Sequence, residues 1–317
     1  MKFYYFINHE AMLFTVLQLA LFSCGSSSEG ERPHFPPYDF HYDLTLPDAV
    51  MKMPSRLKEI SGLGLSADGR YLIAVQDERG IIFFVEKTSG KLVKEISFQE
   101  NGDYEGVEVV GTDVYVVKST GTLYRIQHPG EERQSVDKYN FFLGHENDVE
   151  GLAYDSSRNR LLLACKGEAG DGKEFSFKRG IYAFDLATSM LDSVPAYLIS
   201  LEDVQAYLDT SPTVRKLEKL LDTFSPEESE FVFSPSGLAI HPLTGDFYLL
   251  SSVGKLLMVM SAEGEILHIE KLKKEVHAQP EGICFDADGT LYISNEASGG
   301  EGLIYRFAYR INMKSER

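Results

Sequence analysis

Short apolar strands alternate with polar turns along most of the chain, and the alternation itself repeats. The segments EISGLGLSADGRYLIAV, DYEGVEVVGTDVYVV, DVEGLAYDSSRNRLLLA, SPSGLAIHPLTGDFYLL and QPEGICFDADGTLYIS follow one plan. A small or acidic residue precedes a glycine. A short apolar strand follows, then a polar turn and a second apolar strand. The glycines are Gly62, Gly106, Gly151, Gly237 and Gly282, separated by 44, 45, 86 and 45 residues. A period near 45 with about four short strands per unit predicts the blades of a β-propeller. In the first unit, strands are expected over 60–66, 71–76, 81–86 and 92–98. Gly69, Gly90, Gly264 and Gly289 provide hairpin turns, because glycine takes φ > 0 without a Cβ clash.

The 86-residue gap has room for a sixth blade, but its sequence is helical in period. In SLEDVQAYLDTSPTVRKLEKLLDTFSPEE, Leu201, Val204 and Leu208 share one face. Val214, Leu217, Leu221 and Phe224 share another, and Ser211-Pro212 reads as a helix start. A helical insertion over about 201–230 therefore separates blades three and four, and the count is five. The last unit stops after its third strand. The segment YDLTL, residues 42–46, is expected to supply the missing outer strand, closing the ring and removing two open sheet edges. The expected fold class is all-β: a five-bladed β-propeller of four-stranded antiparallel blades over residues 40–317, with N-terminal strand closure.

The N-terminus is different in kind. AMLFTVLQLALFSC, residues 11–24, is too short for a membrane span of about 20 residues. It reads as the apolar core of a signal peptide over residues 1–23. Leu21-Phe22-Ser23-Cys24 resembles a bacterial lipobox, in which Cys24 is acylated and becomes the new N-terminus. Residues 24–39 form a Ser/Gly/Pro-rich linker. The expected location is the bacterial cell envelope, with membrane attachment through Cys24, since each buried CH₂ of an acyl chain contributes about 0.8 kcal/mol.

Charge narrows the partners. Among 317 residues, 31 Lys+Arg stand against 48 Asp+Glu, a net charge of −17. That excludes nucleic acid, which needs concentrated cationic side chains, and an electrostatic hold on anionic lipid. A protein or small-molecule ligand remains open. Beyond Cys24, the thiols are Cys165 and Cys284, each in an apolar run. They read as two buried free cysteines, with a disulfide as the alternative. No CxxC, zinc-ligand spacing or GxSxG is present.

With EISGL at 59–63, DYEGVE at 103–108, VEGLAYD at 149–155, SPSGLAI at 234–240 and QPEGICFDADGTLYISNE at 279–296, the chain resembles the SdiA-regulated family of bacterial exported proteins, relatives of NHL-repeat propellers. The resemblance covers nearly everything after about Tyr42. It implies a membrane-associated five-bladed propeller with a bound calcium ion. It supplies architecture more than activity. The polar loop KGEAGDGKEFSFKRG of blade three departs from the pattern.

Equivalent positions in successive blades converge on the propeller axis. Those before the anchor glycines are Ser61, Glu105, Glu150, Ser236 and Glu281, and Glu59, Asp103 and Asp148 lie two residues earlier. Carboxylates so gathered need either protonation or a cation. Oxygen-only ligands suit Ca²⁺ better than Zn²⁺. The other reading makes these acids hydrogen-bond acceptors at blade starts; the resemblance favours the metal. Asn295 and Glu296, like Asp77 and Glu78, stand where they could reach the channel. Two functions follow. One is a lipid-anchored, calcium-binding scaffold or binding module. The alternative is a calcium-dependent hydrolase, phytase-like or lactonase-like, with His145 or His277 as general base. His241 reads as structural.

Overall fold

The computed structural model describes residues 38–210, 233–297 and 300–311. Its strands form five antiparallel sheets. Strand β1 (Ala49–Lys52) precedes blade one, which runs β2 (Ile60–Leu65), β3 (Tyr71–Gln76), β4 (Arg79–Glu86) and β5 (Leu92–Ser97). Blade two is β6 (Tyr104–Val110), β7 (Asp113–Lys118), β8 (Leu123–Gln127) and β9 (Ser135–Tyr139). Blade three is β10 (Val149–Asp155), β11 (Arg160–Cys165), β12 (Lys178–Asp185), β13 (Met190–Leu191) and β14 (Tyr197–Ser200). Blade four is β15 (Pro235–Ile240), β16 (Phe247–Ser251), β17 (Leu256–Met260) and β18 (Ile266–Lys271). Blade five is β19 (Pro280–Phe285), β20 (Leu291–Asn295) and β21 (Leu303–Phe307), completed by β1. The inner strands β2, β6, β10, β15 and β19 pack in ring order, with β19 returning to β2.

The repeated glycine is what lets this ring close. A Cβ on Gly62 would stand 2.6 Å from the Glu105 carbonyl oxygen of the next blade. On Gly237 it would stand 2.5 Å from the Glu281 carbonyl, and on Gly282 2.7 Å from that of Ser61. Only a residue without a side chain lets neighbouring inner strands approach so closely. The turn glycines Gly69, Gly90, Gly264 and Gly289 have φ of 67°, 71°, 94° and 86°, as hairpin turns require.

Strand alternation then distributes the core between blades. Successive residues of a strand point to opposite faces, so Leu162 packs toward blade four and Leu163 toward blade two. Leu249 and Leu250 divide in the same way between blades three and five. Cys165 and Cys284 lie in two of these interfaces, buried and unpaired.

The N-terminal segment closes the ring, but with a different strand from the one expected. Residues 49–52, not 42–46, pair with β21, in the register Ala49↔Arg306 to Lys52↔Leu303. Tyr42 and Leu44 are instead buried plugs against blades four and five. The Tyr42 hydroxyl donates to the Gly289 carbonyl at 2.6 Å and meets His241 Nε2 at 2.8 Å. His241 Nδ1 accepts the Leu243 and Thr244 amides, so this histidine is structural. The alternation in YDLTL marks a buried face, and that face is filled by insertion rather than by ladder pairing. Pro47, which has no N–H to give, separates the plug from the strand.

Blade three also departs from four strands. Its outer strand is broken, so β13 pairs with one end of β12 and β14 with the other. The break contains Pro195. Helix α1 (Leu201–Thr210) follows β14 directly. Ser200 Oγ accepts the Asp203 amide, while the Asp203 carboxylate accepts the Ser200 amide and hydroxyl, a reciprocal capping box. Val204 and Leu208 are buried against blades three and four. The second predicted helical face (Val214, Leu217, Leu221, Phe224), the signal peptide and Cys24 lie outside the described residues. Among the described residues no helix is long and apolar enough to cross a membrane.

Candidate functional site

Every blade begins with an irregularity at the same place. The register between its first two strands slips around the anchor glycine: Ile60/Leu63, Tyr104/Gly106, Val149/Gly151, Pro235/Gly237 and Pro280/Ile283. Ser61, Glu105, Glu150, Ser236 and Glu281 fall within these slips, out of the regular ladder. A bulge of this kind re-aims a side chain.

Two further rows of residues stand at the same end. Glu59, Asp103, Asp148, Ser234 and Gln279 immediately precede the inner strands, and Asp77, Ser119, Lys166, Ser252 and Glu296 immediately follow the second strands. Main-chain bonds hold the rows together: the Ser119, Lys166 and Glu296 amides donate to the Asp103, Asp148 and Gln279 carbonyls at 3.1, 2.8 and 2.9 Å. Asp148 itself is left-handed, with φ of 47°, a conformation that aspartate tolerates better than most residues. The three rows carry eight carboxylates and a single basic side chain, Lys166. Charge at this mouth is therefore far from balanced.

The acids respond to the imbalance and to burial. Burial, then the charge of Glu150 and a hydrogen bond to Asp103, pushes the Glu105 carboxyl up to about 10. Asp103 also accepts the Ser119 hydroxyl. Burial raises Glu150 to about 8, although Lys166 opposes the rise. Burial likewise raises Glu281 to about 7, again against Lys166. Across the mouth, burial and the charges of Glu59 and Glu296 bring Asp77 to about 6. The Lys166 ammonium lies 2.6 Å from Glu150 Oε1 and 4.0 Å from Asp148 Oδ2. Burial alone would lower its pKa; the charge of Glu150 and the hydrogen bond to it reverse this and hold the amine protonated.

The neutral positions are partly spent on structure. Ser236 Oγ donates to the Pro280 carbonyl at 2.9 Å, and Ser61 Oγ reaches the Glu59 carbonyl at 3.4 Å. Glu296 accepts from the Gln279 amide. Asn295 is 2% exposed, and neither end of its carboxamide has a partner among the described residues.

The two histidines separate. His145 is exposed on the loop before β10, close enough to Asp148 to favour its charge. His277 is in the core, which corrects its placement as a base beside Glu281. Its Nε2 is bonded to the Leu44 carbonyl at 2.9 Å and its ring stacks on Phe307. Burial lowers it to about 4. Its nearness to Glu281 in sequence misleads because the N-terminal plug, which claims the ring, is distant in sequence.

Lys166 is the mouth residue that sequence reasoning missed. The signal was available, because it occupies the position of Asp77 and Glu296 after the second strand. Glu108 was missed too. It accepts the Val109 amide and, from the next blade, the Tyr154 amide at 3.0 Å, and burial raises it to about 7.

A family model described as SdiA-regulated matches residues 39–168 and 195–308. The unmatched interval contains most of the polar loop of blade three, β12 and β13, while β14 falls within the match. Solved structures to which the chain is similar include a streptogramin B lyase structure, 12% identical over 80% of this chain and 67% of that chain, with a TM-score of 0.42. A luciferin-regenerating enzyme is 12% identical over 82% of this chain and 95% of that one, with a TM-score of 0.46. The PQQ-bound aldose sugar dehydrogenase of Streptomyces coelicolor is 13% identical over 83% and 99%, with a TM-score of 0.45.

Proposed function

The chain belongs to the SdiA-regulated family, and from that premise we propose that it is a membrane-anchored propeller of the cell envelope, a binding module with calcium held at the mouth of its ring. The observation that carries this reading is the imbalance of eight carboxylates against Lys166 at one end of the five inner strands. The donor chemistry fits the ion: the acids offer oxygen only, which a hard cation prefers. Raised carboxyl pKa values are what buried acids show when counter-charge is short. Glu105, Glu150 and Glu281 would hold the ion, with Glu59, Asp103 and Asp148 at its rim. Among the described residues no three acidic, histidine or cysteine side chains form a ready metal-ligand group. Binding therefore requires side-chain movement at the mouth.

The lipobox-like ending at Cys24 and the linker after it support the membrane anchor. The net charge of −17 speaks for a protein or small-molecule partner and against nucleic acid. A calcium-dependent hydrolase at the same mouth has less support, since His277 is committed to the core and His145 alone remains near the acids.

The test is calcium content of the full-length chain after dialysis, paired with melting in the presence and absence of chelator. About one calcium per chain and a lower melting temperature on chelation are expected. An ion at a hundredfold excess over its Kd stabilises a fold by about 2.7 kcal/mol. No retained metal, and a melting curve indifferent to chelator and to added calcium, would refute the reading.

A further inference from the structure

Lys166 places the protein's own cation among the carboxylates of the mouth. Its ammonium contacts Glu150 at 2.6 Å and reaches Asp148 at 4.0 Å, and Glu281 and Glu296 also feel its charge. The bond from its amide to the Asp148 carbonyl fixes the backbone beside the acids. The other blades carry Asp77, Ser119, Ser252 and Glu296 at this position, so the cation is peculiar to blade three. The Lys166 side chain is 32% exposed, so the amine has a route to solvent.

A second feature at the same end is incomplete. Asn295 ends β20 opposite Pro280, the residue before Glu281, and is itself followed by Glu296. Its carboxamide is buried, with neither oxygen nor nitrogen bonded among the described residues. A buried polar group without a partner calls for a ligand or an ordered water. Carboxamide oxygen is also a usual ligand of hard cations.

We propose that Lys166 is a tethered counter-ion: it holds the mouth together in the cation-free protein, and a divalent cation enters by displacing its ammonium from Glu150. The inference rests on the calcium reading above and adds to it a competitor built into the chain. Two cations at contact distance from one carboxylate repel each other strongly in a partly buried site. The four-carbon stem of lysine lets the amine swing away without moving the backbone. Removing the ammonium should therefore tighten cation binding and weaken the cation-free fold, in which Glu150 loses its partner.

Calcium titration of full-length wild type, Lys166→Met and Lys166→Arg by calorimetry tests this. Lys166→Met is expected to bind calcium about tenfold tighter or more, the equivalent of one pKa unit or more of relieved repulsion, while Lys166→Arg stays near wild type. Equal affinities in wild type and Lys166→Met would overturn the tethered counter-ion and leave the calcium reading standing. No binding to any of the three would overturn both. A measurement on unaltered protein guards against misfolding of a variant: acetylation of Lys166, read by mass spectrometry with and without saturating calcium. Calcium should raise labelling of Lys166 several-fold and leave Lys87, paired with Asp286, unchanged. Unchanged labelling of Lys166 in protein that binds calcium would overturn the displacement.

Discussion

Replacing Gly62 by alanine adds one methyl at the tightest part of the ring. That carbon would meet the Glu105 carbonyl oxygen at 2.6 Å, Val75 Cγ2 at 2.9 Å and Gly106 Cα at 3.0 Å. Carbon contacts settle near about 3.5–4.0 Å, so the shortfall is roughly half an ångström to an ångström on several sides. None of these neighbours is the free end of a flexible side chain: two are backbone and the third is a fully buried valine. Overpacking of this kind costs about 1–3 kcal/mol. At about 2–4 °C per kcal/mol for a domain approaching this size, Gly62→Ala should melt roughly 2–12 °C below wild type. Gly144→Ala is the control. Its added Cβ meets nothing within 4 Å and its φ lies outside the left-handed region. There a less flexible unfolded chain should leave stability unchanged or raise it by about 0.4–1 kcal/mol. Calorimetric melting of the three full-length proteins decides. A Gly62→Ala protein that melts within about a degree of wild type would refute the close-approach account of the repeated glycine.

Acid protonation gives a pH prediction whose sign is fixed. Asp77, Glu281, Glu108 and Glu150 have folded pKa values raised to about 6, 7, 7 and 8, in each case chiefly by burial. The folded state then holds protons that the unfolded chain has already released. The contribution of these four groups to stability is greatest below the ordinary carboxylate range and is lost as pH rises through 6 to 8; it outnumbers the opposite contribution of His241 and His277, which burial lowers to about 4. Melting in chelator from pH 5 to 8.5 should show that decline, and a flat profile would contradict it. Tyr42→Phe should cost about 1–2 kcal/mol, because it leaves the Gly289 carbonyl and His241 Nε2 without their partner. An unchanged denaturation midpoint would show the plug hydroxyl to be idle. Asn295→Leu removes a buried carboxamide that has no partner among the described residues, so in chelator its melting temperature should rise, by an amount reflecting about 1–3 kcal/mol. A fall would mean that the amide is satisfied after all.

The blade count was legible because one physical requirement, close approach of inner strands, recurs at Gly62, Gly106, Gly151, Gly237 and Gly282 and tolerates no substitute easily. The turns were legible for the same kind of reason, since Gly69 and Gly289 need positive φ. The start of the insertion was readable from Leu201, Val204 and Leu208, whose spacing matches one helix face. What escaped was set by partners far along the chain. Tyr42 and Leu44 alternate like a strand, yet their burial against blades four and five does not follow from local pattern. His277 beside Glu281 looks like a base until Leu44 claims its Nε2. The acids before the glycines could be aligned by eye, but Lys166 belongs to a different row, which becomes visible only when the ends of the second strands are aligned as well.

Closure of blade five by β1 has a consequence for how the molecule is made. Lys52 and Leu303, paired in the finished protein, are among the first and last residues of the domain to leave the ribosome. Throughout synthesis β1 waits as a lone strand, and Met51, buried at the end, stays exposed. Four blades can assemble on the way, but the ring stays open until β21 emerges. A chain halted before Leu303 would present β20 and β1 as two unsatisfied edges, each a template for the matching strand of another copy. Truncated or stalled chains of this protein should therefore exchange strands and associate, whereas in the closed ring β21 lies between β20 and β1 and occupies both of these edges.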